Sequence, residues 1–289
     1  MKPAPFRYLR AESLEEAVAA LVEHGDEAKI LAGGQSLVPM MNLRLAMPSV
    51  LVDINGVAEL DGIRANGALE IGAATRQLAV QRSAEVASLA PLVPEALRHV
   101  AHAAVRSRGT FGGSVAHGDP AAELPAVLLA LGGDVVARGP DGERTIPADE
   151  LFVTYYTTAL AETEVLTRVV IPKDAGARRF GFAEVARRHG DYALAGVAVV
   201  ADADEGGVCR SARIALFAVG DRPVRAEKAE QAVAGRSLGD EATLRDAERL
   251  AAEELEPRED LHASSRYRRE VAGVLVRRAL AQAAGGGSA

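Results

Sequence analysis

Tryptophan is absent from this 289-residue chain, and aromatic residues make up only 4% of it. The core must therefore be assembled from Ala, Val, Leu and Ile, with few platforms on which bases or sugars could stack. There is a single cysteine, Cys209. One thiol excludes internal disulfides and every multi-cysteine metal or iron–sulfur site built by this chain alone. Basic runs are missing: 33 Lys and Arg face 40 Asp and Glu, for a net charge of −7, so nucleic acid is not an expected partner. No run approaches the ~20 apolar residues that span a bilayer. The opening MKPAPFRYLRAESLEEA lacks the apolar centre of a secretory signal, and the expectation is a cytoplasmic chain with no transmembrane segment.

What is present is ordinary for a globular protein: 48% hydrophobic and 25% charged residues. The length predicts two domains, or three small ones. Leu14, Ala17, Val18, Leu21 and Val22 fall at helical spacing over residues 13–24, with Ser13 as N-cap, Glu15 and Glu16 in the first turn, and Gly25 to end it. Residues 29–32 and 49–54 read as strands, which makes the opening β-α-β, and residues 37–45 as helical or irregular. Short strands at 62–64 and 69–72 flank the turn Asn66-Gly67. The pattern then predicts a helix over 75–82 capped by Thr75, an Ala-rich helix over 91–105, a loop over 105–116, a helix over 123–131, a hairpin over 134–146 and a strand over 164–171. The polar stretch 173–179, with Gly176, marks a boundary. Strand-like runs at 180–186, 194–202 and 211–218, turning at Gly206-Gly207, predict an antiparallel sheet, followed by helices over 226–233, 241–255 and 267–284 and a flexible tail at 285–289. The expected division is 1–56, 57–173 and 174–284, with that tail after it.

Three motifs carry chemistry. In Leu31-Ala-Gly-Gly-Gln-Ser-Leu37 a glycine pair directly after a strand lets backbone N–H groups approach a phosphate, and Ser36 adds a hydroxyl. A plain strand-to-helix turn would use the same residues. Gly109-Thr-Phe-Gly-Gly-Ser114 repeats the glycine pair between the hydroxyls of Thr110 and Ser114. Two such loops suit the two phosphates of a diphosphate, although neither has P-loop or G-x-G-x-x-G spacing. In the third motif, Asp119 and Glu123 are four apart, a spacing that shares a helix face. Asp119 before Pro120 fits an N-cap equally well, and Glu123 is the better acceptor for ribose or amide hydrogen bonds. His99 and His102 share a face with no carboxylate at ligand spacing, so no metal is expected. No G-x-S-x-G elbow is present, and Cys209 reads as a structural thiol. Arg187-Arg-His-Gly-Asp-Tyr-Ala193 is a loop between strands, with Tyr192 available to cover a flat ring.

In order, AGGQSL (32–37), TFGGSVAHGDPAAELPA (110–126), RRHGDYA (187–193) and SSRYRREVAGVLVRRAL (264–280) resemble the FAD-binding medium subunit of molybdenum hydroxylases. This is the family of the carbon monoxide dehydrogenase medium chain and the xanthine dehydrogenase flavin domain. The resemblance runs from Pro5-Phe6 to about Leu280. It implies an α+β architecture: a two-part FAD-binding fold of the vanillyl-alcohol-oxidase (PCMH) type, in residues 1–56 and 57–173, followed by a C-terminal domain of antiparallel sheet plus helices. It implies FAD on this chain, its diphosphate held by the backbone of Ile30, Leu31, Ala32, Gly33, Gly34, Gln35, Ser36 and Leu37 and of Thr110, Phe111, Gly112, Gly113 and Ser114. Ala101, Asp119 and Glu123 join the implied cofactor contacts, with Leu166 near the flavin or adenine and Tyr192 beside the isoalloxazine. No catalytic residue and no metal ligand is implied here. The implied partners are a large molybdopterin subunit and a small subunit with two [2Fe–2S] clusters, arranged as a dimer of heterotrimers that can sit peripherally at the inner face of the membrane. The flavin takes electrons from the clusters and passes them to an external acceptor. Two positions depart from the pattern: Ser114 stands where Asn is frequent, and Gln35 where the carbon monoxide enzymes have His. The alternatives are a self-sufficient FAD-dependent oxidase or dehydrogenase of the same fold, and a non-enzymatic nucleotide-binding or scaffold protein.

Overall fold

A computed structural model describes residues 2–173 and 178–285. Its first lobe runs β1 (Arg7–Arg10), α1 (Leu14–His24), β2 (Ala28–Leu31), α2 (Leu37–Asn42) and β3 (Val50–Asp53), with the strands parallel in the order β1-β3-β2. Ser13 caps α1 by accepting from the Glu16 N–H at 3.2 Å, and Leu14, Ala17, Val18 and Leu21 bury against Val50 and Val52. The first strand has no signal in the sequence. Its RYLR stretch is mostly exposed and forms because β3 offers an unpaired edge, where Tyr8 Oη also donates to Asp53 at 2.5 Å.

The second lobe contains β4 (Ile63–Ala65), β5 (Ala68–Gly72), α3 (Gln77–Arg82), α4 (Ala84–Leu89), α5 (Leu92–Leu97), α6 (Ala103–Arg106), α7 (Phe111–His117), α8 (Glu123–Leu131), β6 (Asp134–Gly139), β7 (Gly142–Pro147), α9 (Ala148–Leu151), β8 (Phe152–Thr154), β9 (Thr157–Thr158) and β10 (Val165–Pro172). Five of its strands form an antiparallel sheet, β4-β5-β10-β6-β7. Three local expectations are corrected here. Thr75 does not cap α3: its hydroxyl instead accepts from the Gly62 N–H at 2.9 Å, and α3 starts after Arg76. The helix expected over 91–105 is broken into α5 and α6, because Ala101 takes a left-handed φ of 42° and Arg106 bonds the carbonyls of Val100 and Ala101. The loop expected over 105–116 ends in a helix, α7.

The third lobe is the antiparallel sheet β11 (Arg179–Ala186), β12 (Ala193–Ala203), β13 (Cys209–Phe217) and β14 (Val224–Arg225), with α10 (Glu227–Val233), α11 (Glu241–Glu253) and α12 (Ser265–Ala284). Strand side chains alternate between faces. Ala195, Val197, Val199 and Ala201 of β12 therefore pack with Leu275, Val276 and Ala279 of α12, while Ala198 and Val200 turn the other way, into the core that holds α8. All nine residues of α8 are buried, including Glu123, because it is covered by both lobes. Glu123 thus lies where the second lobe meets the third. Most of the boundary stretch, residues 174–177, and the tail beyond Gly285 lie outside the described residues.

Candidate functional site

The first glycine motif leaves β2 at Leu31 and enters α2 at Leu37. The backbone N–H groups of Gly33, Gly34, Gln35 and Ser36 find no acceptor among the described residues. Gly34 sits at φ 72°, a conformation that turns successive amides to one side. Ser36 begins α2 without using its hydroxyl as a cap. The loop is braced from behind. Asn55 donates to the Ala32 carbonyl at 2.8 Å, and Arg76 donates to Asn55 at 2.6 Å and to the Arg108 carbonyl at 2.5 Å. Gly33 then lies directly on the second motif: a Cβ there would stand 2.5 Å from the Arg108 oxygen and 2.7 Å from Gly109 Cα. Ile30 and Leu31 lie in β2, in register with Val52 and Asp53 of β3.

The second motif is built differently. Thr110 is the N-cap of α7, its Oγ1 accepting from the Gly113 N–H at 3.0 Å. Phe111 and Gly112 donate to the carbonyls of Thr75 and Ala73, and Ser114 to that of Thr110. These four amides already have partners, so the row of free donors belongs to the first motif alone. What the second motif leaves unengaged is the Ser114 hydroxyl. Thr110→Val is expected to cost about 1 kcal/mol through the lost cap, seen as a melting-temperature drop of about 2 °C, whereas Thr110→Ser keeps the wild-type value.

A free row of N–H donors suits an anion, and two lobes that meet across Gly33 suit an extended one. The donor set therefore fits the diphosphate of FAD. Seven residues of helix, about 10 Å long, carry the chain from there to His117, whose ring lies tilted against Tyr156 with centroids 5.1 Å apart. Asp119 follows in a turn, its Oδ1 accepting from the Ala121 N–H at 2.9 Å. Both helical readings of Asp119 are corrected: α8 starts at Glu123 with Ala122 as its N-cap, so Asp119 neither caps it nor shares a face with Glu123. Tyr192 is 63% exposed and approaches Asp119 and Tyr156. Partial desolvation of the phenol, and then the Asp119 carboxylate, push its pKa upward. The Tyr192 loop docks through Gly190, where a Cβ would stand 2.8 Å from the His102 ring and 3.0 Å from the Ala101 carbonyl. Ala101, Asp119 and Tyr192 are thus brought together. Leu166 is buried in β10 beside Ala137, with little surface to offer a ligand.

Glu123 is buried, and burial above all pushes its carboxyl up to about 8. His99 and His102 do not share a helix face, since both lie in the irregular stretch after α5. His99 does have a carboxylate nearby: its Nδ1 is 3.3 Å from Glu184 Oε1, a hydrogen bond that draws the imidazole upward. No group of three metal-ligating side chains occurs among the described residues. Cys209 is fully buried, and burial raises its thiol to about 11, leaving it neutral. Sequence reasoning missed Arg76, Tyr156 and Glu184, whose partners are all distant in the chain.

Residues 4–174 match the family described as the FAD binding domain in molybdopterin dehydrogenase, and residues 180–283 match the CO dehydrogenase flavoprotein C-terminal domain. The 6-hydroxypseudooxynicotine dehydrogenase complex subunit alpha of Paenarthrobacter nicotinovorans is 41% identical over 284 residues, covering 98% of this chain and 96% of the relative. The carbon monoxide dehydrogenase medium chain of Hydrogenophaga pseudoflava is 40% identical over 281 residues, 97% of each chain. Among solved structures, the carbon monoxide dehydrogenase of that organism lacking the Mo-pyranopterin moiety superposes with a TM-score of 0.95 at 41% identity, over 100% of both chains. Quinoline 2-oxidoreductase from Pseudomonas putida 86 gives 0.94 at 41% identity, over 99% of each. This chain belongs to the family of FAD-binding medium subunits of molybdenum hydroxylases.

Proposed function

We propose that this chain is the electron-output subunit of a molybdenum-dependent dehydrogenase complex. It holds FAD, receives electrons from two [2Fe–2S] clusters on a small partner and delivers them to an external acceptor, while a large molybdopterin partner oxidises the substrate. The observation that carries this reading is the run of unpaired amides at 33–36, fixed against the second glycine motif by Gly33. FAD, when bound, supplies the exchange between single-electron and two-electron steps.

The chain's own part is binding and shielding. In this reading the amides of Gly33, Gly34, Gln35 and Ser36 and the hydroxyls of Ser36 and Ser114 hold the diphosphate. Ile30, Leu31, Ala32 and Leu37 form its backbone wall, while Thr110, Phe111, Gly112 and Gly113 set the facing surface. Ala101 and Asp119 orient Tyr192 over the ring system. Glu123 and Leu166, both buried, back the pocket from beneath its surface, and no residue here acts as nucleophile or as a base toward the substrate. Cys209 is one buried, neutral thiol, which supports placing the clusters on a partner.

The relatives include subunits of named dehydrogenase complexes, which supports a heterotrimer, here proposed to pair into a dimer. No helix among the described residues is long and apolar enough to cross a membrane. The proposed location is the cytoplasm, with membrane association only peripheral and through the complex. The proposed working division is FAD held between 1–56 and 57–173, with 174–284 bringing Tyr192 to the ring.

Reconstitution tests the binding claim: the full chain is expected to retain one FAD per molecule after gel filtration, and a chain that retains none contradicts it. Tyr192→Ala is expected to change the rate with different electron acceptors, at least severalfold for one of them, while FAD retention stays near that of the wild type. Unchanged rates with every acceptor tried would remove Tyr192 from the ring.

A further inference from the structure

Where α5, α8 and β11 pack together, two acids are buried around one histidine. Glu123 is 7% exposed, and its carboxyl hydrogen-bonds only its own backbone N–H among the described residues. The Glu184 side chain is 6% exposed: Oε1 lies 3.3 Å from His99 Nδ1, and Oε2 is buried without a partner. The His99 side chain is 35% exposed and so reaches water, with the His189 ring 6.5 Å away. Neither acid forms a described ion pair with Lys or Arg.

The charges facing Glu123 are Glu184 and His99 from the neighbouring elements and Asp119 from the turn before α8, and Tyr192 lies within its field. Those facing His99 are Glu184, Glu95 of α5 and Glu123.

A buried carboxyl with no hydrogen-bonded partner of opposite charge favours its neutral form. His99 hydrogen-bonds Glu184, and no described cation pairs with Glu123 in that way. Glu123 is left to hold a proton, with burial first and Glu184 second among the causes that raise its pKa. Glu123 lies within electrostatic reach of Tyr192, the residue assigned to the proposed ring site.

We propose that Glu123, served by the His99–Glu184 pair, is a proton-exchange site that takes up one proton from solvent when negative charge arrives in the adjoining redox site. This rests on the reading of that site as the flavin pocket. In the exchange one O–H bond forms on the Glu123 carboxylate. The proton comes from water by way of the His99 imidazole, which loses one and regains one. The electrons come from the iron–sulfur partner, and neither acid is oxidised or reduced. Once Glu123 is ionised in the oxidised protein, reduction brings a proton with it, so the potential falls more steeply with pH.

Two measurements test this. In the full chain without FAD, an infrared carboxylic-acid band is expected to persist to about pH 8. Glu123→Gln should lack it, and His99→Gln should move its loss to higher pH, because a nearby positive charge is removed. In the assembled complex, the flavin midpoint potential should steepen above about pH 8 by up to ~30 mV per pH unit, the value of a tenfold change for a two-electron couple. Glu123→Gln should show no such break. A band that disappears in the ordinary carboxylate range overturns the proton site alone. Equal slopes in wild type and Glu123→Gln, with FAD retained, also overturn it. A complex that binds no FAD, with the infrared band behaving as described, overturns the flavin reading and the coupling together.

Discussion

Gly33→Val is expected to produce a chain without bound FAD and with a markedly lowered melting temperature. A Cβ at this position would stand 2.5 Å from the Arg108 oxygen, 2.7 Å from Gly109 Cα and 3.0 Å from the Thr110 nitrogen, all of them backbone. Backbone does not yield as a side chain does, so the two glycine motifs must separate. Overpacking of this kind costs about 1–3 kcal/mol, and the separation removes the wall against which a diphosphate would lie. Gly34→Ala separates the two effects. Its Cβ would meet only the side chains of Val38 and Leu31, at 3.2 and 3.3 Å, but its φ of 72° is costly for any L residue. That variant should fold and lose much of its FAD. Flavin absorbance after gel filtration, together with a thermal melt, reads both. A Gly33→Val chain with stoichiometric FAD would mean that the motifs do not form a common cradle.

Arg268→Met is expected to cost about 3 kcal/mol, a melting-temperature drop of about 5 °C. Arg268 is 6% exposed near the start of α12. It donates to the Leu194 carbonyl at 2.6 Å, the Ala218 carbonyl at 3.0 Å and Asp260 Oδ2 at 2.6 Å. Methionine fills similar volume and leaves these acceptors without their donor. Leu194 stands two residues after Tyr192, so the arginine also fixes where the Tyr192 loop enters β12. The variant should therefore shift acceptor preference in the same direction as Tyr192→Ala. An unchanged melting temperature would show that water replaces the guanidinium at these carbonyls.

The elements that could be read in the sequence are those whose cause is local. The Ser13 cap lies next to the helix it starts, the Asn66-Gly67 turn joins neighbouring strands, and the alternation along β12 repeats every second residue. The elements that could not be read depend on distant partners. β1 is a polar edge that exists because β3 is open beside it. The glycines of α7 disfavour a helix, which forms because Thr110 caps it and Gly112 packs on Ala73. Ala101 breaks a helical pattern because Arg106 holds the turn. The glycine pairs, Asp119, Glu123 and Tyr192 can all be singled out in the sequence. The difference in role between the two motifs cannot be, because the carbonyls that engage the Phe111 and Gly112 amides, those of Thr75 and Ala73, lie nearly 40 residues earlier in the sequence. The His99–Glu184 pair joins two lobes and has no sequence spacing to betray it.

The central claim is that this chain carries FAD as one part of an iron–sulfur and molybdenum assembly. The most direct test is the visible absorption spectrum of the protein purified gently from its native host, read beside the bands that accompany it on a gel. The account predicts flavin absorbance overlaid by iron–sulfur absorbance, with one larger and one smaller partner. A flavin spectrum on a lone, fully active chain, or a colourless chain that takes up no FAD, would contradict it.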